Sequence, residues 1–351
     1  MPRTDITILG DGQMGLVCAA ILSGQPGAGR ISLWSHDARD AERLQQTRKS
    51  SRLPMIRLAD RVEVTGDAAT ALMGAELIVS AVPTQFIRRV WGSMTPLIDR
   101  AAEPSIVSVA KGIEVGTLMT PTAIVRDVVT GLKSVPPAAQ RLTDPARHCV
   151  LSGPTIAPEL ARFLPATMIA ASTSEELAKR VQALFTTSSL RVYTATDPIG
   201  VEVAGATKNV IAIAAGILDG LQAGHNAKSA LLARGLAEIA RLGAALGARQ
   251  ETFFGLAGVG DLATTCFSPE GRNRSLGEAL GKGELLASYL NRTDSVVEGV
   301  ETTKGVVELA RRLNVEMPIT AAVHAVLYER VDPIDAIARL MSRPPKPERV
   351  G

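Results

Sequence analysis

The residue with the clearest chemical potential is Lys208, because it lies in an almost entirely apolar segment. Nearly every position of residues 199–218 is apolar or small, which is typical of a helix buried over most of its circumference. Burying an ammonium ion without a partner is costly. A lysine here therefore indicates a role in proton transfer. The alternative is that its aliphatic stem runs along the apolar surface and its ammonium group reaches the solvent.

A glycine-rich segment at residues 10–15, Gly-Asp-Gly-Gln-Met-Gly, predicts a dinucleotide site. It follows a predicted strand and opens a predicted helix, and a second strand comes next at βαβ spacing. The first glycine of such a turn closes the bend, the second lets backbone approach a pyrophosphate, and the third lets helix pack on strand. The alternative is a fold of this type without its cofactor. The predicted glycines are Gly10, Gly12 and Gly15.

Two polar groups follow predicted strands, where ligands of a parallel sheet are usually bound. Lys111 comes directly after the strand at 105–110. The bend Ser-Gly-Pro-Thr at 152–155 follows the strand at 149–151. For Lys111 the alternative is a solvated position at the strand end.

Two further groups occur later in the chain. Asp261 is the one carboxylate of a glycine-rich segment at 255–265, which we predict to be a loop. Arg272 and Asn273 follow Gly271 at the start of a predicted helix. Bidentate donors at the positive end of a helix dipole suit a phosphate monoester, whereas a basic surface turn is the alternative.

The elements that must position these residues change in type along the chain. Strands and helices alternate up to residue 196, which predicts an α/β, Rossmann-type doubly wound sheet for residues 1–196. Residues 197–351 read as helices and predict an all-α domain that carries the substrate and catalytic residues. Within it, Asn226 is expected to cap a long helix to about residue 246, and the last two helices are predicted at 318–328 and 333–341. In the first domain, a helix predicted at 117–130 is followed by an irregular connection at 131–147. The predicted strands are 6–9, 30–34, 62–65, 76–82, 105–110, 149–151, 166–171 and 190–193.

Composition supports an enzyme of two domains. The chain has 351 residues, of which 46% are hydrophobic and 21% charged, which is sufficient for large cores. The net charge of +3 has no basic run behind it, which argues against a nucleic-acid partner. Three widely spaced cysteines fit neither a disulfide framework nor a metal site and favour a reducing cytoplasm. No signal peptide is expected, and Glu202, Lys208 and Asn209 argue against a membrane span at 199–218.

Taken together, these motifs resemble the NAD(P)-dependent glycerol-3-phosphate dehydrogenases over almost the whole chain. Their order and spacing agree jointly, which makes the resemblance far more specific than any single motif. The matching segments are GDGQMG at 10–15, AKG at 110–112, SGPT at 152–155, GATKNVIAIAAG at 205–216, ALLARGLAE at 230–238, GLAGVGDL at 255–262, RNR at 272–274 and VVEG at 296–299.

The resemblance implies an oxidoreductase that interconverts dihydroxyacetone phosphate and sn-glycerol 3-phosphate with NAD or NADP. It implies Lys208 as general acid and base, and a supply of glycerol 3-phosphate for glycerophospholipid synthesis. The implied substrate residues are Lys111, Gly153, Thr155, Lys208, Asp261, Arg272 and Asn273. The implied cofactor residues are Gly10, Gly12, Gln13, Met14, Gly15, His36, Lys111, Ala157, Arg272, Val296 and Glu298.

Two departures from the family and two alternatives accompany this interpretation. Gly271 stands where the family commonly has Ser, and the connection at 131–147 is longer than usual, which predicts a surface insertion. One alternative is a related two-domain ketopantoate or hydroxy-acid reductase. The other is a dinucleotide-sensing protein without turnover. The partner is expected to be a small phosphorylated molecule, and a homodimer is left open.

The end of the second strand predicts that NADH and NADPH are both accepted. A carboxylate about 20 residues after the glycine turn normally reads the ribose 2′-hydroxyl. Here Asp37 is expected to cap the helix that begins at Ala38 instead. Arg39 and Arg43, or an arginine of the segment before residue 61, are candidates for the 2′-phosphate, and the alternative is that they are solvated.

Overall fold

The computed structural model describes residues 3–99, 103–293, 296–345 and 347–348, and the chain divides into two compact units. The first unit comprises residues 1–110 and 121–198, and the second comprises 111–120 and 199–351. The boundary expected from the sequence lies at 196/197 and assigns residues 111–120 to the first domain. In the structure Lys111 therefore belongs to the same unit as Lys208.

The first unit is built on an eight-stranded sheet with the strand order β3-β2-β1-β4-β5-β6-β7-β8. All neighbouring strands are parallel except β6 and β7, which are antiparallel. Its central strands, such as Leu-Ile-Val at 77–79, are apolar on both faces, as parallel strands covered by helices must be. The predicted Rossmann-type sheet is confirmed. The strands are β1 (Thr4–Leu9), β2 (Ala28–Trp34), β3 (Val62–Thr65), β4 (Leu77–Ser80), β5 (Ser105–Ser108), β6 (His148–Ser152), β7 (Ala166–Ala171) and β8 (Leu190–Ala195).

Helices accompany this sheet along the chain. The segment predicted as an irregular connection at 131–147 contains the short helix α6 and two 3₁₀ turns, and the helix predicted at 117–130 begins only at Pro121. Pro121 takes the first helical turn, where its missing N–H costs nothing. The helices are α1 (Gln13–Ser23), α2 (Ala38–Thr47), α3 (Ala68–Leu72), α4 (Thr84–Met94), α5 (Pro121–Gly131), α6 (Pro137–Gln140), α7 (Ala157–Ala161) and α8 (Glu175–Phe185).

The described part of the second unit is helical outside its connections. The predicted bounds of the last two helices are confirmed, whereas Asn226 does not cap a helix, because α10 already begins at Gly224. The prediction of a loop at 255–265 is wrong. The segment forms a π-helical turn, Leu256–Gly260, and the helix α12 follows it directly. The helices are α9 (Pro198–Gly220), α10 (Gly224–Ala245), α11 (Gln250–Phe254), α12 (Asp261–Phe267), α13 (Arg272–Gly281), α14 (Leu286–Asn291), α15 (Glu298–Arg312), α16 (Pro318–Tyr328) and α17 (Pro333–Met341).

Helix α9 is the central helix of the second unit. It has the length and hydropathy of a membrane-spanning helix, but 94% of its apolar window is buried inside the protein, as expected for a core helix. Helix α13 packs against it at very short range, because a Cβ atom at Gly216 would overlap the carbonyl oxygen of Arg274 and one at Gly277 would overlap that of Ile213. The two backbones therefore touch, and this contact fixes the start of α13 relative to Lys208.

Candidate functional site

A network of charged side chains surrounds Lys208 in the second unit. Lys208 lies in the middle of α9 and is only 6% exposed. Its Nζ donates to Asp261 Oδ1 at 2.5 Å and to Thr265 Oγ1 at 2.6 Å. The lysine predicted from its apolar surroundings is thus buried, and its ammonium group is paired with a carboxylate.

The carboxylate of Asp261 joins two lysines. Lys111 Nζ donates to Asp261 Oδ2 at 2.6 Å, on the oxygen opposite to the one that binds Lys208. Asp261 is 1% exposed, so its negative charge is compensated inside the protein. One buried carboxylate therefore holds two ammonium groups in a defined geometry.

The π-helical turn before α12 places this carboxylate. It brings Asp261 to the first position of α12, so that Thr265 follows one turn later on the same face. Thr265 Oγ1 donates to the Asp261 carbonyl at 2.7 Å and accepts from Lys208. A single wide turn of this kind is frequent at functional sites.

Burial changes the proton affinity of two groups in this region. Desolvation lowers the pKa of Lys208 to about 8; the charge of Asp261 opposes this shift and that of Lys111 adds to it. Desolvation also raises the pKa of Glu298, against the charges of Arg272, Lys111 and Lys208. A lysine with a pKa near 8 can both donate and accept a proton close to neutral pH.

The arginine and asparagine predicted to bind phosphate lie at the start of α13. Arg272 Nη1 donates to the Val296 carbonyl at 2.8 Å. Asn273 Oδ1 accepts from the Gly299 N–H at 3.0 Å, which fixes the orientation of its amide group. Gly271 takes the N-cap position of α13 and provides no side-chain cap.

These contacts connect the start of α13 with the start of α15. Arg272 bonds Val296, two positions before Glu298, and Asn273 bonds Gly299, directly after it. The charges of Arg272, Lys111 and Lys208 all oppose the rise that desolvation causes in the pKa of Glu298. The structure therefore brings the predicted site residues of the second unit into one charged region. Those residues are Lys111, Lys208, Asp261, Arg272, Asn273, Val296 and Glu298.

The glycine turn of the first unit has the geometry that its sequence predicts. Gly10 adopts a φ of 105°, and a Cβ there would lie 2.9 Å from the Ala81 carbonyl oxygen. Gly15 packs so closely on Gly10 that a Cβ would overlap its carbonyl oxygen. A Cβ on Gly12 would meet nothing within 4 Å. The second glycine thus leaves open space at the N-terminus of α1, where a pyrophosphate fits.

The other predicted residues of the first unit lie near strand ends. Gln13 and Met14 open α1, and exposed His36 follows β2. Gly153 follows β6 with a φ of 129°, and Thr155 Oγ1 donates to the Gly153 carbonyl at 3.0 Å. Ala157 opens α7.

Asp37 caps α2, as the sequence predicts. Its carboxylate accepts from the N–H groups of Arg39 at 2.8 Å and Asp40 at 3.2 Å. These backbone bonds lower the pKa of Asp37. Arg43, one of the arginines considered for the 2′-phosphate, donates to Asp40 at 2.6 Å.

Sequence reasoning missed Thr265 and Arg52. Thr265 is recognisable only once residues 261–267 are known to be helical, because the i, i+4 spacing from Asp261 is then significant. Arg52 bonds the side chain of Asp11 inside the glycine turn, a contact between residues 41 positions apart that no local pattern signals.

Comparison with known proteins identifies the family. Two protein-family models match the sequence. The model for the NAD-dependent glycerol-3-phosphate dehydrogenase N-terminus matches residues 5–178, and the model for the C-terminus of the same family matches residues 197–338. The chain belongs to the NAD-dependent glycerol-3-phosphate dehydrogenase family. The predictions of this family, of an enzyme and of NAD or NADP as cofactor are confirmed at the level of the family.

Relatives of this family match over the full chain. Glycerol-3-phosphate dehydrogenase [NAD(P)+] of Prosthecochloris aestuarii is 43% identical and covers 98% of this chain and 99% of its own. The enzyme of the same name from Frankia casuarinae is 44% identical, covering 97% of each chain. The crystal structure of glycerol-3-phosphate dehydrogenase from Coxiella burnetii superposes with a TM-score of 0.86 at 35% identity, covering 97% of this chain and 99% of that one.

More distant structures share the fold alone. A PanE/ApbA family ketopantoate reductase from Ralstonia eutropha superposes with a TM-score of 0.58 at 13% identity, covering 95% of this chain and all of that one.

Within the described residues, no group of three or more His, Cys, Asp or Glu side chains is placed to hold a metal ion, and all three cysteines are free and buried.

Proposed function

We propose that this chain interconverts dihydroxyacetone phosphate and sn-glycerol 3-phosphate by hydride transfer with NAD(H) or NADP(H). The observation that carries the proposal is the carboxylate of Asp261, which holds the ammonium groups of Lys208 and Lys111 in a buried position. The family membership of the whole chain supports the same reaction. In this proposal the first unit binds the dinucleotide, and the second provides the catalytic residues.

Lys208 is the general acid of the reduction in this proposal. The nicotinamide, when bound, supplies the hydride that adds to the carbonyl carbon. Lys208 Nζ–H⁺ transfers its proton to the carbonyl oxygen, so that the C=O double bond becomes a CH–OH group and the lysine becomes neutral. In the reverse direction neutral Lys208 removes the hydroxyl proton. A pKa near 8 suits both steps.

Asp261 and Thr265 position this lysine. Their oxygens take up hydrogen bonds from Lys208 Nζ, which aims the remaining donor of the ammonium group in one direction. Lys111, on the other oxygen of Asp261, adds positive charge where negative charge develops on the substrate oxygen. The buried setting strengthens each of these interactions.

Arg272 and Asn273 are proposed to hold the substrate phosphate. Their position at the start of α13 combines a guanidinium fork, an amide and the positive end of a helix. Gly153 and Thr155 are carried over as further substrate residues from the family resemblance alone. The proposed cofactor residues are the glycine turn with Gln13 and Met14, His36, Lys111, Ala157, Arg272, Val296 and Glu298.

The finer biological role also rests on the resemblance. We propose a cytoplasmic enzyme that supplies glycerol 3-phosphate for glycerophospholipid synthesis, with a homodimer as one form of assembly. The alternative of a ketopantoate or hydroxy-acid reductase shares the fold, but the arginine and amide at the start of α13 favour a phosphorylated substrate. A dinucleotide-sensing protein would have no use for the buried lysine and carboxylate pair.

A steady-state assay tests this proposal. NADH and NADPH oxidation would be measured with dihydroxyacetone phosphate, dihydroxyacetone and ketopantoate. We expect turnover with dihydroxyacetone phosphate and a much lower kcat/KM without the phosphate group. Preference for ketopantoate would favour the alternative reductase, and cofactor binding without any turnover would favour the sensing protein.

A further inference from the structure

A second cluster of charges lies in the first unit, beside the glycine turn. Asp11 stands between the first two glycines, and its side chain is only 6% exposed. The Arg52 guanidinium bonds this carboxylate through Nη1, and it bonds Asp40 Oδ2 through Nη2 at 2.9 Å. The Arg52 carbonyl accepts a bond of 3.0 Å from Gln13 Nε2. Arg52 is therefore attached to the turn by both its side chain and its main chain.

A carboxylate in this turn opposes the binding of a dinucleotide. The N-terminus of α1 and the open space above Gly12 favour an anion. The charge of Asp11 has the same sign as a pyrophosphate, and it is shielded from water by burial. Unless its charge is compensated, Asp11 repels the group that the turn is shaped to receive.

Arg52 provides this compensation. Its guanidinium presents two edges, one to Asp11 and one to Asp40, and Asp40 lies in the first turn of α2. Asp40 thereby holds the arginine in place while Asp11 is neutralised. Arg52 lies in the segment between α2 and β3, and it bonds Asp11 in the glycine turn as well as Asp40 in α2. These bonds therefore also fix that segment against the glycine turn.

We infer that Arg52 is a positioning residue of the dinucleotide site, which neutralises Asp11 and so keeps the glycine turn receptive to the cofactor's pyrophosphate. The inference rests on the proposed function only in that this function requires a nicotinamide dinucleotide. Since NADH and NADPH share the pyrophosphate, Arg52 acts on both cofactors equally. A role in reading the 2′-phosphate would instead affect NADPH alone.

Direct binding measurements test the inference. The Kd of NADH and of NADPH would be determined by fluorescence titration for wild type, Arg52→Gln, Asp11→Asn and the double variant. The temperature is kept well below the midpoint of thermal unfolding of each variant. Arg180→Gln is the matched control, because Arg180 is about as exposed as Arg52 and lies at the amino end of β1, where it donates to Thr4 Oγ1 and to Glu76 Oε2, each at 3.0 Å. Turnover with dihydroxyacetone phosphate at saturating cofactor would be measured in parallel.

We expect Arg52→Gln to raise both Kd values by about tenfold, because Asp11 is then an uncompensated like charge near the pyrophosphate. Asp11→Asn should bind both cofactors at least as tightly as wild type. The double variant should return to within about threefold of wild type, since the repelling carboxylate is then gone. The kcat of Arg52→Gln at saturating cofactor should not change, and Arg180→Gln should bind both cofactors as wild type does.

Other outcomes overturn the inference. A loss confined to NADPH would assign Arg52 to the 2′-phosphate, and a lower unfolding midpoint with unchanged Kd would make the ion pair purely structural. Weak binding that persists in the double variant would also contradict neutralisation. If Arg52→Gln fails to fold, Arg52→Met with and without Asp11→Asn provides the same comparison, because methionine also removes the charge and keeps an unbranched side chain. Unchanged Kd with normal turnover would reject this inference but not the proposed function, whereas a wild type that binds neither cofactor would reject both.

Discussion

At the scale of single residues, the site depends on one buried carboxylate that serves two lysines. Asp261 keeps the ammonium group of Lys208 inside the protein, where an unpaired charge would be strongly unfavourable. Desolvation nevertheless lowers the pKa of Lys208 to about 8, far below that of an exposed lysine. In the proposed reaction, the same burial that costs stability makes Lys208 suitable for proton transfer near neutral pH.

This pKa predicts opposite pH dependences for the two directions of the reaction. Reduction needs protonated Lys208, so its kcat should decrease as the pH rises through about 8. Oxidation needs neutral Lys208, so its kcat should increase over the same range. Steady-state profiles in both directions check this. Two profiles that change in the same direction near pH 8 would contradict the assignment of Lys208.

The contact of Arg272 with substrate is tested by Arg272→Lys. Lysine keeps the charge but loses the planar fork that binds a phosphate through two bonds. We expect the KM for dihydroxyacetone phosphate to rise by more than about tenfold, or ~1.4 kcal/mol. Arg311→Lys is a matched control in an exposed ion pair with Glu308. Because Arg272 is also a proposed cofactor residue, both Michaelis constants must be measured, and unchanged values for both would remove it from the site.

At the scale of elements, the site is held together by the close approach of α9 and α13. Gly216 on α9 and Gly277 on α13 each contact the backbone of the other helix, at a distance where a Cβ atom would overlap a carbonyl oxygen. This approach sets the distance from Lys208, in the middle of α9, to Arg272, at the start of α13. The precision of the site therefore depends on residues that take no part in the chemistry.

Gly277→Ala tests this dependence. The added Cβ would overlap the Ile213 carbonyl oxygen, so one helix must move. We expect a loss of stability of about 1–3 kcal/mol, as for other overpacked contacts, together with a reduced kcat. Gly92→Ala in α4 is the control, because its Cβ would meet nothing within 4 Å and alanine favours the helix. Normal stability and turnover of Gly277→Ala would show that the helix contact is less restrictive than the structure indicates.

The elements also show what the sequence could and could not predict. Regular helices with proline at their start, such as α16 and α17, were predicted with the correct bounds, because their signals are local. The prediction of a loop at 255–265 is wrong, because it equates glycine with flexibility. In the structure a Cβ on Gly258 would overlap the backbone of Phe253, so this glycine permits close packing of the π-helical turn.

The candidate site divides in the same way. Lys208 is recognisable from local sequence because its neighbours are apolar. The glycine turn is recognisable from the spacing of its glycines after a strand. The contact of Lys111 with Asp261 joins residues 150 positions apart, and the contact of Arg52 with Asp11 depends on how the segment after α2 folds back. Local periodicity contains no information on such pairs, so they required the structure.

At the scale of the whole molecule, the family and the sheet order agree on a nicotinamide-dependent dehydrogenase, and the charged region of the second unit supports the proposed phosphorylated ketone as its substrate. The sheet has the strand order of a dinucleotide-binding fold, and the glycine turn lies at the carboxyl end of its first strand. The second unit brings the ammonium groups of Lys111 and Lys208 onto the buried carboxylate of Asp261.

The molecule is also predicted to use both cofactors. The carboxylate of Asp37 caps α2, whereas in dinucleotide-binding folds a carboxylate at this place in the chain normally reads the ribose 2′-hydroxyl. We therefore expect NADH and NADPH to support turnover with kcat/KM values that differ by less than about 10³-fold, or ~4 kcal/mol. Steady-state kinetics with both cofactors check this. A stronger preference for NADH would mean that Asp37 reads the ribose after all.

The central claim is that Lys208 exchanges the proton of the reaction, and the most direct measurement is the turnover of Lys208→Ala with dihydroxyacetone phosphate and NADH. We expect kcat to fall at least about 10³-fold, within the range of general acid–base catalysis combined with lost charge stabilisation. The Kd of NADH, measured on the same sample, should stay within about threefold of wild type. Lys304→Ala, which removes a lysine of α15 paired with Glu301, should keep normal turnover. A Lys208→Ala variant with near-normal kcat would contradict the account.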